Sequence, residues 1–214
     1  MKKAIVFDLD GTLLYTLADL TNSVNYAMTQ LKLNTYTDEQ VRNMIGNGVA
    51  VLMKRALTEQ NMQFFDDALK FQRQYYAMHG SEHTKPYDGI CQMLQNLKND
   101  FTVIVHTNKD ENVAKPLCNA FLKNNVDFVC GTVSDSLTKP NAQRLLQLLR
   151  KLGNPKAVYC GDSEVDVQTA QNANLPCISV TWGFRDKTFL AAHGATHFAS
   201  TPEEVQRLAV LLTK

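Results

Sequence analysis

Ala4-Ile5-Val6-Phe7-Asp8-Leu9-Asp10-Gly11-Thr12 is the stretch that decides how this chain is read. Apolar residues rich in β-branched and aromatic types run into an acid, and a glycine follows closely. That is the pattern of a buried parallel strand ending in a functional turn. Open α/β sheets bind their ligands outside the carboxyl ends of such strands. Asp8 and Asp10 are separated by Leu9 alone, so at a strand end their side chains can converge on one point. Carboxylates that close repel unless a cation or a proton lies between them. The arrangement suits a hard metal ion, and Asp8 can also serve as a nucleophile. The same letters equally suit a plain loop, since Asp, Gly and Thr are ordinary turn residues. An EF-hand is not matched, because the later glycine and glutamate of that loop are missing.

Beyond Leu14 the pattern becomes helical. Leu17, Leu20, Val24, Ala27, Met28 and Leu31 repeat at helical spacing, and Thr37 with Gln40 forms a capping box for a second helix. Gly46-Asn47-Gly48 breaks that helix, and two more follow, over about 49–57 and 64–76. Residues 15–84 therefore read as a helical insert without strands, the remainder being 1–14 and 85–214. Pro86-Tyr87-Asp88-Gly89 marks the border. From there strands at 101–105, 126–130, 157–160 and 176–180 alternate with helices at about 89–98, 110–122, from Pro140, and 164–173. Thr201-Pro202-Glu203-Glu204 opens a C-terminal helix. The expected fold class is α/β, a Rossmann-like parallel sheet with helices on both faces plus an inserted all-helical domain.

Composition narrows the classes. A formal net charge of +1 over 214 residues argues against nucleic acid or an anionic membrane surface as partner. No apolar run approaches the length of a membrane span, and the one near the start stops at Asp8. The five cysteines are scattered without a CxxC pair, so a reducing, cytoplasmic setting is expected.

The strand ends carry the chemistry. After Asp8 and Asp10 comes Thr107-Asn108-Lys109, where a hydroxyl and free N–H groups at a strand-to-helix turn can hold a phosphate. Lys139-Pro140 offers a point charge for an anion. Gly161-Asp162-Ser163-Glu164-Val165-Asp166 brings a further carboxylate, with Asp166 either a second ligand or a favourable charge at a helix start. Each signal alone has an ordinary structural reading; in order, at successive strand ends of one sheet, they are specific. Together they describe phosphoryl transfer. Asp8 attacks phosphorus, Mg2+ bridges Asp8, Asp162 and a phosphate oxygen, Thr107, the Asn108 backbone and Lys139 neutralise the equatorial oxygens, and Asp10 moves the protons.

At these motifs the sequence resembles the haloacid dehalogenase superfamily of phosphotransferases. Gly46-Asn47-Gly48 with Leu52 and Ala56-Leu57, Pro86-Tyr87-Asp88-Gly89-Ile90, and Thr181-Trp182-Gly183 look like its phosphoglycolate phosphatase branch. The resemblance covers nearly the whole chain and implies that the helical insert is a cap. It also implies that the Asp10 main-chain carbonyl is a metal ligand, which frees the Asp10 carboxylate for acid–base work. The expected site is then Asp8, Asp10, Thr107 and Lys139 for catalysis; Gly11, Thr12, Asn108, Asn47 and Gly48 for substrate phosphate; Asp8, Asp10 and Asp162 for Mg2+, with Asp166 and Ser163 behind them. Tyr15 and Asn141-Ala142 depart from the family pattern of an acid and of Asp-Pro. The expected substrate is a small phosphorylated metabolite, and the protein a monomer or homodimer. A phosphosugar mutase, an inorganic pyrophosphatase or nucleotidase of the same superfamily, and a phospho-receiver module are the alternatives.

Overall fold

The computed structural model describes residues 2–214; Met1, the first residue of the expected catalytic core, lies outside them. The chain divides into two compact units, Met1–Leu14 with Pro86–Lys214 and Tyr15–Lys85. Two short strands, β2 (Leu14–Tyr15) and β3 (Lys85–Pro86), pair where the chain passes from one unit to the other.

The discontinuous unit is built on β1 (Lys3–Phe7), with β4 (Phe101–Asp110), β5 (Phe128–Thr132), β6 (Ala157–Gly161), β7 (Cys177–Val180) and β8 (His197–Ala199). Their order is β5-β4-β1-β6-β7-β8, and neighbouring strands pair in parallel. Phe7 sits opposite Val105 on one side and Cys160 on the other. Strand alternation sends Ile5, Phe7, Val103, Val105 and Cys160 into one core, closed by Met93, Leu117 and Val205. Ala4, Val6, Ile104 and Tyr159 enter a second core, closed by Leu145, Leu149 and Ala170. Burial on both faces is why β1 reads as a continuous apolar run. From β1 the chain builds outwards to β4 and β5, then returns to β6 on the other side. The carboxyl end of β1 therefore lies at the switch in strand order, where such sheets leave a crevice.

The helices of this unit are Ile90–Leu97, Glu111–Phe121, Gln143–Lys151, Glu164–Asn172, Lys187–Ala192 and Pro202–Leu212. Beside β2 and β3, whose short pairing takes in Tyr15 and was not expected, further corrections to the sequence reading arise here. Pro140 does not open a helix; that helix starts at Gln143, whose N–H donates to Asn141 Oδ1 at 2.8 Å. Strand β8 and the helix Lys187–Ala192 were not expected at all. Each is too short for its periodicity to stand out, and β8 exists because β7 supplies an edge for it to pair with.

The continuous unit holds α-helices Leu17–Gln30, Asp38–Met44, Val49–Leu57 and Phe65–His79, with a 3-10 turn over Glu59–Phe64. The Thr37–Gln40 capping box forms as its sequence implies. Gly46 and Gly48, at φ 129° and 86°, make the turn before Val49, a conformation that costs other residues more. The buried Asp19 carboxylate joins the two ends of this unit. It accepts the His83 N–H at 3.0 Å, the Thr84 N–H at 2.8 Å and the Thr84 hydroxyl at 2.7 Å.

Candidate active site

Asp8 continues β1 by one residue, its N–H donating to the Cys160 carbonyl at 2.9 Å. The chain then turns sharply. Leu9 O accepts the N–H groups of Leu13 and Leu14 at 3.0 and 2.9 Å, and Gly11 N–H returns to Leu14 O at 2.9 Å. Gly11 has φ +85°, and a Cβ there would stand 2.4 Å from Asp162 Oδ2. Only glycine lets the two segments come this close.

Asp162 follows β6 and is held from two sides. Thr12 Oγ1 donates to its Oδ1 at 2.8 Å, and the Phe184 N–H to its Oδ2 at 2.8 Å. Asp166 sits in the first turn of the next helix, where Ser163 Oγ donates to its Oδ2 at 2.6 Å and Ser163 N–H at 3.1 Å. Its Oδ1 accepts Lys139 Nζ at 2.7 Å, and the same ammonium reaches Asp8 Oδ1 at 2.8 Å. Carboxylate oxygens of Asp8, Asp162 and Asp166 lie within 4.8 Å of one another, and all three residues are buried.

Burial and the Asp166 carboxylate push Asp8 up to about 8, against the opposing pull of Lys139. Burial, then Asp166, push Asp162 up to about 7. Burial disfavours the Lys139 ammonium, yet Asp166 and Asp8 outweigh it and hold this lysine above its ordinary value. When all three buried acids are ionised they outnumber the one buried ammonium, a negative balance that a further cation would offset. An all-oxygen donor set of this kind fits a hard divalent ion. Beneath it Tyr159 OH lies 3.4 Å from Asp166 Oδ1 and 3.3 Å from His106 Nδ1. Burial, with Lys139 and Arg144, lowers His106 to about 3, so its imidazole is neutral.

The structure brings Asp8, Lys139, Asp162, Ser163 and Asp166 together, as their motifs imply. Other expected residues take different partners. Thr12, expected at the substrate phosphate, donates its hydroxyl to Asp162. The Asp10 carboxylate is not in the cluster; it pairs with Lys109 Nζ at 3.0 and 3.1 Å. Lys109 had no partner in the sequence reading, because the approach of two segments 99 positions apart leaves no local signal. Thr107 Oγ1 accepts the Lys109 N–H at 3.2 Å, which leaves the hydroxyl's own proton to donate. The Asn108 side chain turns to the Lys139 backbone. In the helical unit Asn47 Oδ1 accepts from Arg55 at 2.8 Å, which ties the Gly46–Gly48 turn to the following helix. Phe184, whose N–H orients Asp162, was missed, since a backbone donor carries no residue signature.

Comparison with known proteins agrees with these motifs. The family model for haloacid dehalogenase-like hydrolases matches residues 5–180. A phosphoglycolate phosphatase of Chromobacterium violaceum is 33% identical over 199 residues, covering 89% of this chain and 90% of its own. That of Agrobacterium fabrum is 33% identical over 190 residues, covering 85% and 81%. Among solved structures, a protein of Lactobacillus delbrueckii subsp. bulgaricus, assigned by inference as a phosphoglycolate phosphatase, superposes with a TM-score of 0.91 at 33% identity, with 100% of both chains covered.

Proposed function

The chain belongs to the haloacid dehalogenase-like hydrolase family, and we propose that it is a magnesium-dependent phosphatase that hydrolyses a small phosphomonoester resembling phosphoglycolate. One observation carries the reading: a buried Lys139 ammonium bridges Asp8 and Asp166 beside Asp162, at the carboxyl end of the central strand. In this reading an Asp8 carboxylate oxygen attacks phosphorus and the bond to the leaving alcohol breaks, leaving an acyl phosphate on Asp8. Water then attacks that phosphorus and regenerates the Asp8 carboxylate. Asp10 gives a proton to the alcohol and takes one from water, exchanging its Lys109 partner to do so. Lys139, the Thr107 hydroxyl and the Asn108 N–H face the equatorial oxygens, where charge grows in the transition state. Asp8, Asp162 and the Asp10 carbonyl would hold Mg2+, with Asp166 and Ser163 behind them. The ion would supply charge neutralisation at the phosphate.

A screen of small phosphomonoesters with Mg2+, run with and without a sugar acceptor, tests the class. Hydrolysis led by short phosphorylated acids supports the reading, whereas transfer to the sugar with little release of inorganic phosphate overturns it. The site's electrostatics adds an expectation about stability. Asp8 and Asp162 titrate higher in the folded protein than in the unfolded chain, so the folded form holds extra protons between roughly pH 4 and 8. Metal-free protein should lose stability as the pH rises through that window, and Mg2+ should restore it most at the upper end. At a hundredfold excess over Kd the gain is about 2.7 kcal/mol, or roughly 5–10 °C in the melting temperature of a protein this size. Melting curves at pH 5 and pH 8 decide; an equal effect of Mg2+ at both would place the ion elsewhere.

The helical unit serves in this reading as a lid. Being joined to the rest by two chain crossings, it can exclude water from the first transfer and admit it for the second. Asn47 and Gly48 are its proposed contact with substrate, through the Asn47 amide donor and the glycine backbone. Asn47→Ala should then change relative kcat/KM among small phosphomonoesters by roughly three- to tenfold, the scale of one hydrogen bond, without preventing formation of the phosphoenzyme. An unchanged ranking would make Asn47 the partner of Arg55 only.

A further inference from the structure

Lys139 stands on a ten-residue connection, Val133–Ala142, between β5 and the helix Gln143–Lys151. Its first part is open to solvent, with Val133, Ser134 and Ser136 exposed, and its only regular structure is a 3-10 turn over Asp135–Leu137. Such a segment gains little from apolar packing, yet its lysine must meet two carboxylates at 2.7 and 2.8 Å. Asparagine side chains supply the missing constraint. Asn108, buried at the end of β4, accepts the Lys139 N–H on Oδ1 at 2.6 Å and donates from Nδ2 to the Lys139 carbonyl at 3.2 Å. Asn172, on the helix that carries Asp166, donates to the Pro140 carbonyl at 2.9 Å. Asn141 donates to Ser136 O at 2.9 Å within the connection itself.

Of these, the Asn108 contact is the one directly on the lysine. Its amide matches the donor and acceptor of one residue at once, as a neighbouring strand would, and it does so in a buried place where an unmade bond is costly. We propose that Asn108 is the positioning residue for Lys139, fastening the lysine's backbone to β4 so that its ammonium stays between Asp8 and Asp166. The consequence for rate rests on the phosphatase reading; the fastening itself does not.

Hydrogen exchange of the Lys139 amide, followed by NMR on the full chain without substrate, reads the fastening directly. Asn108→Ala should speed that exchange at least about tenfold while distant core amides of β1 keep their protection. With p-nitrophenyl phosphate and Mg2+, Asn108→Ala should lower kcat about a hundredfold, the scale of a misplacement near 1 Å, and leave KM within about threefold. In a Lys139→Ala background, read under single-turnover conditions, the same change should cost less than about threefold, since a residue acting through Lys139 has nothing left to position. Should Asn108→Ala fail to fold, Asn108→Ser carries the test. It adds no charge and is too short to make both amide contacts, so the Lys139 amide should exchange faster and kcat should fall, again only when Lys139 is present. An unchanged Lys139 exchange in Asn108→Ala, or a full loss of rate from either Asn108 variant in the Lys139→Ala background, overturns the proposal. Protection that responds as expected in a chain without activity on any phosphomonoester would keep the fastening and remove the phosphatase reading instead.

Discussion

Asp8→Asn is expected to abolish turnover while the protein stays folded. Asparagine keeps the shape of the side chain and an oxygen that can accept from Lys139 and from the Leu9 N–H, which lie 2.8 and 2.7 Å from Asp8 Oδ1. It has no carboxylate oxygen to form an acyl phosphate. Removing a nucleophile that works as part of a unit costs on the order of a millionfold in kcat. The electrostatics moves the other way. Asp8 is held high by burial and by the Asp166 carboxylate, so replacing it with a neutral group relieves repulsion. The metal-free variant should therefore melt no lower than wild type at pH 8, and the Mg2+-dependent gain in melting temperature should shrink. Wild-type protein trapped with beryllium fluoride should carry the adduct on Asp8. Turnover above about one hundredth of wild type, in protein shown by mass spectrometry to be free of deamidation back to aspartate, would remove Asp8 from the nucleophile's role.

Lys139→Ala should be the second most damaging change, and clearly worse than Lys109→Ala. Lys139 is almost wholly buried, and its loss leaves Asp8 and Asp166 without their shared cation. Breaking a buried pair from one side is strongly destabilising, about 3–5 kcal/mol, and losing a donor to the developing charge costs about 3–4 kcal/mol of the barrier, or 10²–10³ in kcat. Lys109 is also a pairing residue, but its partner Asp10 has a side chain 14% exposed, so water can take up part of the charge. We expect a loss near tenfold for Lys109→Ala, seen mostly in kcat because Asp10 handles protons. The stability deficit of Lys139→Ala should lessen at low pH, as the carboxylates left behind take up protons. Losses of similar, mild size for the two variants would show that the anion clamp lies elsewhere.

Much of this site was legible in the chain. The run Ala4–Phe7 is apolar without alternation because both its faces are buried, and that alone signals a central parallel strand. Asp8 and Asp162 directly follow such strands, so their meeting at the carboxyl ends of the sheet follows from the α/β alternation, whereas Lys139 stands inside the connection after β5. The helical character of residues 15–84 was likewise local, carried by apolar spacing and by the Thr37–Gln40 cap. Chain order, motif and periodicity are properties of neighbouring residues, and for those the sequence by itself was sufficient.

What the tertiary structure alone decided was partnership. The Thr12 hydroxyl meets Asp162, 150 positions away. Lys109 could have been a solvated lysine and instead holds Asp10. Asn108 could have been a helix cap and instead grips the Lys139 backbone, while Asp19 turns out to close the helical unit upon itself. A hydroxyl, an amide or a carboxylate satisfies its hydrogen bonds equally well with many partners. Which one it meets is set by how strands and loops distant in sequence are brought within about 3 Å, a distance that no local pattern encodes.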